Sequence, residues 1–247
     1  MIQVRNLSLR FADGTQALKG IDLDIPEGEF LLICGENGSG KTTLLRLLAG
    51  LIRPSAGSIR IFALDPFRDA RLLRHRIGIV FQDADSQIVG ETVGEDVAFG
   101  PENLGLPAEE IRRRVEKALL MTGLRHLSEK PCHLLSGGEK KRLALAGVMA
   151  LEPEILLFDE PFANLDYRGV REILSFMIRR HQEGRTLILT THEVEKVSPH
   201  VDRIVVMQQG AIKASGRPEE LFPLLSRFGV RPPCYALLEK EPLLWLE

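Results

Sequence analysis

A glycine-rich segment has the residue types and spacing of a phosphate-binding loop. It fits Gly-x-x-x-x-Gly-Lys-Thr and comprises Gly35-Glu36-Asn37-Gly38-Ser39-Gly40-Lys41-Thr42. In such a loop the backbone N–H groups and the amino end of the following helix cradle phosphates. Lys41 is expected to reach the β- and γ-phosphates of a nucleoside triphosphate, and the Thr42 hydroxyl to bind Mg²⁺. We include Thr43 in the same set of cofactor-binding residues.

Two neighbouring acids follow an apolar run later in the chain. Residues 155–158 are apolar, and Asp159 and Glu160 come directly after them. At the end of a buried strand Asp159 would hold the ligand shell of Mg²⁺, as aspartates do in phosphate-loop ATPases. Glu160, one residue further on, would polarise an attacking water. The alternative is that two acids only mark where a strand reaches solvent, and the phosphate loop favours the catalytic interpretation.

A second glycine-rich segment precedes a helical pattern. It comprises Leu135-Ser136-Gly137-Gly138-Glu139 and is followed by Lys140-Lys141-Arg142. Serine with glutamate three residues later is also a capping box, in which Ser136 caps the helix and Glu139 reaches back. Capping does not explain Gly137 and Gly138, which are poor helix formers, allow close backbone approach and suit an anion site. We expect Glu139 to face its own helix, because a carboxylate repels a phosphate.

The elements that must position these residues follow from the apolar pattern. Short apolar runs predict strands at 30–34, 58–62, 77–81, 155–158, 186–190 and 204–207. Alternating apolar residues predict an antiparallel pair around 7–11 and 21–25. A helix over 42–51 follows the phosphate loop, and the order strand, loop, helix argues against an ordinary tight turn. Strands alternating with helices predict a mainly parallel sheet with buried strands.

The chain changes character to helix and loop between about residues 83 and 147. A proline early and acids in the first turn predict a helix start at 106–110. The three arginines at 112–114 are predicted to form a solvated face. We therefore predict one α/β domain over 1–247, with a helical subdomain inserted at about 83–147 and a short C-terminal extension at about 221–247. The apolar residues 242–246 are expected to pack on the core rather than meet another subunit.

Composition excludes several classes of protein. Lys and Arg number 32 against 34 Asp and Glu, for a formal net charge of -2, so no basic field points to nucleic acid. No apolar run approaches the roughly 20 residues that span a bilayer, and the amino end lacks a secretory pattern. The cysteines have neither metal-ligand spacing nor an even number, which fits a reduced, cytosolic setting: Cys34, Cys132 and Cys234.

With both glycine-rich segments in place, the chain resembles ATP-binding cassette (ABC) ATPases over about residues 2–220. In that family residues 135–139 correspond to the signature segment. The resemblance implies that Ser136, Gly137 and Gly138 contact the γ-phosphate held by the phosphate loop of a second subunit, so an active ATPase needs two copies face to face. It further implies that Asp166 lies in the segment that meets the opposing subunit.

Three residues acquire a function only through this resemblance. His192, which alone would be read as a structural histidine at a strand end, becomes the residue that contacts the γ-phosphate and positions the water. Gln82 becomes the residue that joins the metal and the water to the helical insertion. Phe11 takes the place of the aromatic that stacks on adenine, although a core aromatic on an alternating strand fits its position nearly as well.

The resemblance also implies the architecture and the cofactors. The expected fold is an α/β phosphate-loop ATPase core with a mainly parallel sheet, an antiparallel β-subdomain and a helical insertion. ATP and Mg²⁺ are the expected cofactors. A narrower match covers residues 81–87 and 95–106, which look like the ATPase of energy-coupling factor (ECF) importers, including the cobalt and nickel type.

ECF importers take up vitamins or transition-metal ions through membrane partners. This similarity implies a peripheral protein at the cytoplasmic face of the cell membrane. Its partners would be a second ABC ATPase subunit, a transmembrane coupling subunit and a substrate-binding membrane subunit, with no nucleic acid. The stretch after Gln82 would face the coupling helices, and the alternative is a surface loop without a partner. Cargo and the choice between homodimer and heterodimer stay open.

Two rival functions are weaker. An ABC switch of DNA repair or translation usually carries a long coiled-coil insertion or a second cassette, for which 247 residues leave no room. The balanced charge also argues against it. A phosphate-loop kinase would need an acceptor site, which is not evident, and it would leave residues 136–138 unexplained.

Overall fold

The computed structural model describes residues 2–238 and 245. In this part of the chain the strands β1 to β9 are, in order, Ile2–Arg10, Gln16–Ile25, Phe30–Cys34, Ala56–Ile61, Ile77–Val80, Ile155–Asp159, Thr186–Thr190, Arg203–Gln208 and Ala211–Gly216. The helices α1 to α9 are Lys41–Leu48, Ala70–Leu73, Val93–Asn103, Ala108–Met121, Gly137–Met149, Tyr167–Gln182, Val194–Val197, Pro218–Leu225 and Cys234–Leu237. Short 3-10 helices lie at Arg125–Leu127, Cys132–Leu134, Ser198–His200 and Ser226–Phe228.

A six-stranded sheet carries the centre of the molecule. Its strand order is β5-β6-β7-β3-β8-β9, and all neighbouring pairs are parallel except β8 with β9. The predicted mainly parallel sheet is confirmed. Parallel strands end at one edge of a sheet, so the segments after β3, β5, β6 and β7 emerge side by side. All the strand-end residues singled out in the sequence therefore lie along one edge.

A second, three-stranded sheet is antiparallel, with the order β2-β1-β4. The predicted antiparallel pair is confirmed, but β1 begins earlier than the sequence pattern suggested. Ile2 and Val4 continue the buried alternation and pair with Ile25 and Leu23. The strand predicted at 58–62 is β4, which begins earlier, at Ala56. It ends at Ile61 because Phe62 has a positive φ of 51°, which a strand does not accommodate.

The central strand β3 is buried on both faces. Phe30, Leu32 and Cys34 pack into a core that contains side chains of α5 and α6. Leu31 and Ile33 pack into a second core formed with α1 and the antiparallel sheet. Burying a large apolar side chain stabilises a fold by roughly 1.5–3 kcal/mol, so two cores hold the carboxyl end of β3 firmly. The phosphate loop starts from that end.

Helices α3, α4 and α5 lie in the chain between β5 and β6, which are neighbours in the main sheet. Helix α3 begins with a capping box made by Thr92 and Glu95. Helix α5 continues to Met149, slightly past the predicted end of the insertion. No helix formed by the described residues has both the length and the apolar character needed to cross a bilayer.

The arginines at 112–114 only partly form a solvated face. Arg112 and Arg113 are exposed, but the Arg114 side chain is only 17 % exposed. Its guanidinium lies 2.7 Å from a Glu110 oxygen and donates to the Leu151 carbonyl at 3.3 Å. The prediction is wrong for Arg114, because successive helical residues point in different directions and this one turns toward the end of α5.

The C-terminal extension packs on the domain where it is described. The Tyr235 hydroxyl lies 2.9 Å from the Ser198 hydroxyl. The Trp245 ring lies 5.4 Å from the Tyr167 ring, and the Lys196 ammonium lies 5.5 Å from the Trp245 ring centre. Packing on the core is thus confirmed for Trp245, whereas residues 242–244 and 246–247 of that prediction lie outside the described residues.

Candidate nucleotide-binding site

The phosphate loop, residues 35–42, is shaped by two glycines in close contact with other strands. Gly35 has φ 151°, and a Cβ there would lie 2.1 Å from the Met207 carbonyl oxygen. Gly40 has φ 102°, and its Cβ would lie 2.8 Å from the Ala17 carbonyl oxygen. Helix α1 then begins at Lys41 without a side-chain cap. Its first N–H groups are therefore directed to the loop, where an anion would satisfy them.

The loop concentrates positive charge and polar donors. Lys41 is buried, and its ammonium donates to the carbonyls of Gly35 at 2.8 Å and Glu36 at 3.0 Å. Burial lowers the pKa of Lys41, while the nearby carboxylate of Glu160 opposes that shift. The buried Ser39 hydroxyl has no hydrogen-bond partner within the described residues. A buried polar atom of this kind, beside a lysine and a helix amino end, fits a phosphate group.

The other loop residues differ in exposure. Glu36, Asn37 and Gly38 form the exposed outer part of the loop, and Thr43 is half-buried on α1. These residues are placed as the sequence predicts, at the junction of β3 and α1. Their contacts with a nucleotide stay a prediction.

Three oxygen-bearing side chains meet where β6 ends. The Thr42 hydroxyl donates to the Asp159 carboxylate at 2.9 Å, and the Thr190 hydroxyl donates to the same oxygen at 2.7 Å. Asp159 is only 4 % exposed. Hydroxyl and carboxylate oxygens are hard ligands of the kind that Mg²⁺ prefers. Thr42 and Asp159, both predicted metal residues, are thus brought together, and the donor set fits this ion.

The metal shell would be completed from outside the protein. Within the described residues, no group of three or more His, Cys, Asp or Glu side chains is arranged to hold a metal ion. Mg²⁺ in nucleotide sites is usually held by one or two protein oxygens together with phosphates and water. The sparse protein donors at Thr42 and Asp159 fit that mode.

Two predicted catalytic residues, Glu160 after β6 and His192 after β7, are in contact. Glu160 is buried, and its backbone N–H donates to the Thr190 carbonyl at 2.9 Å. The His192 Nδ1 lies 3.1 and 3.2 Å from the two Glu160 carboxylate oxygens. Glu160 has a φ of 45°, an uncommon conformation for a residue with a side chain. Such strain persists where the surroundings determine it, typically at functional sites.

Gln82 and Phe11 are placed less tightly than these residues. Gln82 is exposed just after β5, at the same sheet edge, but its side chain forms no hydrogen bond with another described residue. The structure therefore does not join it to Thr42 or Asp159. Phe11 is 45 % exposed in the turn after β1, so the alternative of a core aromatic is wrong. A solvent-facing ring suits stacking on a base, and that role stays a prediction.

The signature segment starts helix α5 with a complete capping box. The Ser136 hydroxyl accepts from the Glu139 N–H at 3.3 Å, and the Ser136 N–H donates to the Glu139 carboxylate at 2.7 Å. The bond from the Ser136 backbone lowers the pKa of Glu139. The expectation that Glu139 turns back to its own helix is confirmed. A Cβ at Gly137 or Gly138 would meet nothing within 4 Å, so both face open space.

These glycines lie in a wide groove with the segment around Asp166. The groove has a volume of about 1120 Å³ and is bounded by residues 120–123, 136–138 and 164–166 and by the face of α6 from Tyr167 to Arg179, but by no residue of the phosphate loop. The Asp166 carboxylate accepts from the Gly169 N–H at 2.8 Å and caps α6. This capping role was not predicted. Within the described part of the chain, the signature segment thus opens into a groove that the phosphate loop does not line.

Two residues beside the site had no predicted role. Thr190 bonds Asp159, and its only sequence signal is its place at the end of an apolar run. Lys141 is buried with its ammonium on backbone carbonyls of the segment after Glu160. In the sequence it stands between Lys140 and Arg142, where a solvated charge run is the ordinary interpretation.

Comparisons with known proteins agree with this geometry. The model of the family "ABC transporter" matches residues 18–163. The energy-coupling factor transporter ATP-binding protein EcfA3 of Clostridium perfringens is 44% identical over 227 residues, which cover 90% of this chain and 79% of that protein. The EcfA protein of Methanocaldococcus jannaschii is 42% identical over 225 residues, covering 90% of this chain and 81% of its own.

Solved structures agree with the family match and the sequence relatives. CbiO1 from Clostridium perfringens, part of the ABC transporter complex CbiONQ, superposes with a TM-score of 0.81 at 41% identity, covering 96% of this chain and 98% of that one. The ATP-binding cassette MJ0796, in a dimeric post-hydrolysis state with ADP and phosphate, gives 0.80 at 29% identity, covering 88% and 98%. The chain therefore belongs to the ABC transporter family, among the ATP-binding proteins of energy-coupling factor transporters.

Proposed function

We propose that this chain is the ATP-hydrolysing subunit that powers an ECF-type importer of a vitamin or a transition-metal ion. The observation that carries the proposal is the arrangement along one sheet edge. There Thr42 meets Asp159, and Glu160 meets His192, next to the phosphate loop with its buried Lys41. Substrate phosphates, a metal and an attacking water would each find chemically matched groups. The membership among EcfA-like proteins supports the coupling to transport.

Binding of ATP is assigned to the phosphate loop. The Lys41 ammonium and the N–H groups at the start of α1 would hold the phosphates and offset their negative charge. Thr42 and Asp159 would hold Mg²⁺, with Gln82 as a further ligand. When bound, this ion neutralises charge on the β- and γ-phosphates. The Phe11 ring would stack on the adenine.

Hydrolysis is assigned to Glu160 and His192. The Glu160 carboxylate would accept the proton of the attacking water, since a general base needs an oxygen or nitrogen within hydrogen-bond reach of that proton. His192 contacts the same carboxylate and would hold the water and the γ-phosphate. Gln82 would contact the water from the neighbouring strand. The contact of 3.1 Å between the Glu160 carboxylate and His192 Nδ1 supports this division of roles.

The working unit is a dimer with two ATP molecules between its subunits. Residues 136–138 and Asp166 of one copy would complete the site on the phosphate loop of the other. The open space at both glycines and the separate groove support this proposal. ATP that binds only the closed dimer stabilises that state by mass action, and its hydrolysis reopens the pair.

The segment at 83–106 is proposed to contact the transmembrane coupling subunit, at the cytoplasmic face of the membrane. Val89, Phe99 and Leu104 are exposed apolar residues in this segment. Asp85 pairs at 2.5 Å with Lys140 of α5, which directly follows the signature segment, and this pair would link the proposed contact surface to α5. Copurification of the chain with membrane subunits from detergent-solubilised membranes tests this contact. Recovery of the chain without any bound membrane subunit would contradict it.

The domain organisation is part of the same proposal. We propose one domain over residues 1–247, with the helical subdomain inserted at about 83–147 and the extension beginning near 221. The position of α3, α4 and α5 between neighbouring strands of one sheet supports an insertion. The contacts of Tyr235 and Trp245 with the domain support an extension without a separate core.

The decisive experiment is Glu160→Gln in the full chain. Removing the general base should lower kcat for ATP hydrolysis by at least ~10²-fold while ATP binding is retained. Phosphate release and nucleotide titration measure the two quantities. Glu116→Gln, which changes an exposed carboxylate of α4 paired with Arg125, is the matched control and should leave both unchanged. Undiminished hydrolysis in Glu160→Gln would contradict the proposal.

A further inference from the structure

Helix α5 contains a lysine whose ammonium is directed into the protein. Lys141 is only 8 % exposed, and its Nζ donates to the carbonyls of Pro161 at 3.0 Å and Ala163 at 2.6 Å. Within the described residues it forms no ion pair with a carboxylate. Burial accordingly lowers the pKa of Lys141. Burying a charge in this way is costly, and an apolar residue would fill the space without that cost.

Both carbonyls belong to the segment that directly follows Glu160. The backbone is left-handed at both ends of this segment, with φ 45° at Glu160 and 61° at Asn164. The conformation is the more costly one at Glu160, because asparagine adopts it more readily. Non-glycine residues in this region cost of order 1–3 kcal/mol and persist only when neighbouring structure holds them. Lys141 supplies two bonds from outside the segment, one on each side of the buried Phe162. It is therefore placed to fix the path of the backbone that presents the Glu160 side chain.

We propose that Lys141 is a positioning residue for ATP hydrolysis, which fastens residues 161–163 to helix α5 and so keeps Glu160 directed at His192 and the attacking water. This inference rests on the proposed function. It also deepens it, because α5 begins with residues 136–138. The general base of one ATP site and the segment that serves the other ATP site are then parts of one rigid unit within each chain.

A purely structural role of Lys141 would give a different result from a positioning role. If Lys141 only stabilised the fold, its replacement would lower the melting temperature and impair ATP binding and turnover together. A positioning role acts on the geometry of the reacting groups, and small displacements there cost up to about 10²-fold in rate. The phosphate loop receives no bond from Lys141 among the described contacts, so ATP affinity should not change.

The experiment compares Lys141→Met with Lys141→Gln in the full chain. The two replacement side chains have the same length, but only the glutamine amide can donate to the carbonyls. We expect kcat to fall by at least ~10-fold in Lys141→Met and by about 3-fold in Lys141→Gln, with ATP Kd unchanged in both. Lys117→Met, which removes an exposed lysine of α4 paired with Glu152, is the control and should match the natural protein.

Each result of this comparison either supports or overturns the positioning role of Lys141. A kcat within twofold of the natural value in Lys141→Met overturns the inference, as do equal losses in the Met and Gln variants or a parallel loss of ATP affinity. Should Lys141→Met fail to fold, Lys141→Gln decides alone: lower kcat at unchanged Kd supports the role, and natural kcat overturns it. Failure of the proposed function is separate, since the natural protein would then bind ATP without releasing phosphate.

Discussion

One carboxylate oxygen of Asp159 accepts hydrogen bonds from two threonine hydroxyls, and these bonds fix the orientation of the carboxylate. Thr42 comes from the start of α1 and Thr190 from the end of β7, so the carboxylate is held between two elements. The second carboxylate oxygen is not used by either hydroxyl. Removing a residue that orients a metal ligand typically lowers metal affinity or activity by roughly 10–100-fold. Thr190 should therefore affect Mg²⁺ binding without contacting the ion.

We predict that Thr190→Val raises the Mg²⁺ concentration needed for half-maximal hydrolysis by about 10-fold, the scale of lost outer-shell bonds to metal sites. Valine keeps the shape and removes the hydroxyl. Thr186→Val is the matched control, because Thr186 lies buried on the same strand and its hydroxyl instead accepts from the Gly28 N–H. Both variants should lose about 1 kcal/mol of stability, and only the first should change the Mg²⁺ requirement. An equal Mg²⁺ requirement in the two variants would count against the role of Thr190.

At this scale the sequence predicts residues that belong to a motif and misses those that act through tertiary contacts. Lys41 and Asp159 were found because a short pattern defines their chemistry. Thr190 and Lys141 were not, because their partners come from distant segments of the chain. A threonine that ends a strand and a lysine in a charge run each have an ordinary interpretation that only a packed structure overturns.

At the amino end of helix α5, different residues serve the stability of the helix and the proposed function. Ser136 and Glu139 satisfy the helix start between themselves. Gly137 and Gly138 therefore meet no local requirement: neither has a positive φ, and each has open space where a Cβ would lie. Open space at both glycines is compatible with the proposed approach of another subunit at this helix start.

Gly138→Ala tests this directly. In the isolated chain alanine should be tolerated, with an unchanged or slightly raised free energy of unfolding, because it favours helix and meets no neighbour. In the dimer the added methyl would stand where the backbone approaches a phosphate, and we expect hydrolysis to fall at least ~10-fold. Thermal melting and phosphate release measure the two effects. Natural activity in a stable Gly138→Ala protein would contradict the two-subunit site.

Elements were predicted more reliably than their ends. Nearly continuous apolar runs marked β3, β6 and β7, because a strand buried on both faces is rich in apolar residues. The end of β4 depended on the backbone of Phe62, which no periodicity reveals. The turned-in Arg114 was missed for a similar reason: three consecutive arginines suggest a common environment, whereas a helix gives each a different one.

At the scale of the whole molecule, each chain carries two unlike halves of an ATP site. One half comprises the phosphate loop with Asp159, Glu160 and His192, and the other comprises residues 136–138 with Asp166. In the proposed dimer a two-fold axis brings the first half of one copy to the second half of the other, as an isologous interface requires. Defects in different halves should then complement each other, and defects in the same half should not.

We predict that mixing Gly138→Ala with Glu160→Gln chains raises ATP hydrolysis well above the residual level of either variant alone. A mixed dimer contains one site built only from natural halves, so equal mixing with independent sites should give about a quarter of natural activity under two-fold symmetry. Lys41→Ala with Glu160→Gln is the matched control, because both changes lie in the same half and every site stays defective. Restoration in the control mixture, or none in the test mixture, would refute this arrangement of halves.

The packing of Trp245 gives the protein an internal optical probe. The chain contains a single tryptophan, and its ring lies against Tyr167 at the start of α6 and the Lys196 ammonium of α7. Those two residues directly follow the segments that carry Asp166 and His192. Indole emission depends on neighbouring charge and solvent, so the intrinsic fluorescence of the unlabelled protein should report on rearrangement near Asp166 and near His192. We therefore expect Trp245 emission to change on nucleotide binding, which a fluorescence titration of the unlabelled protein would measure.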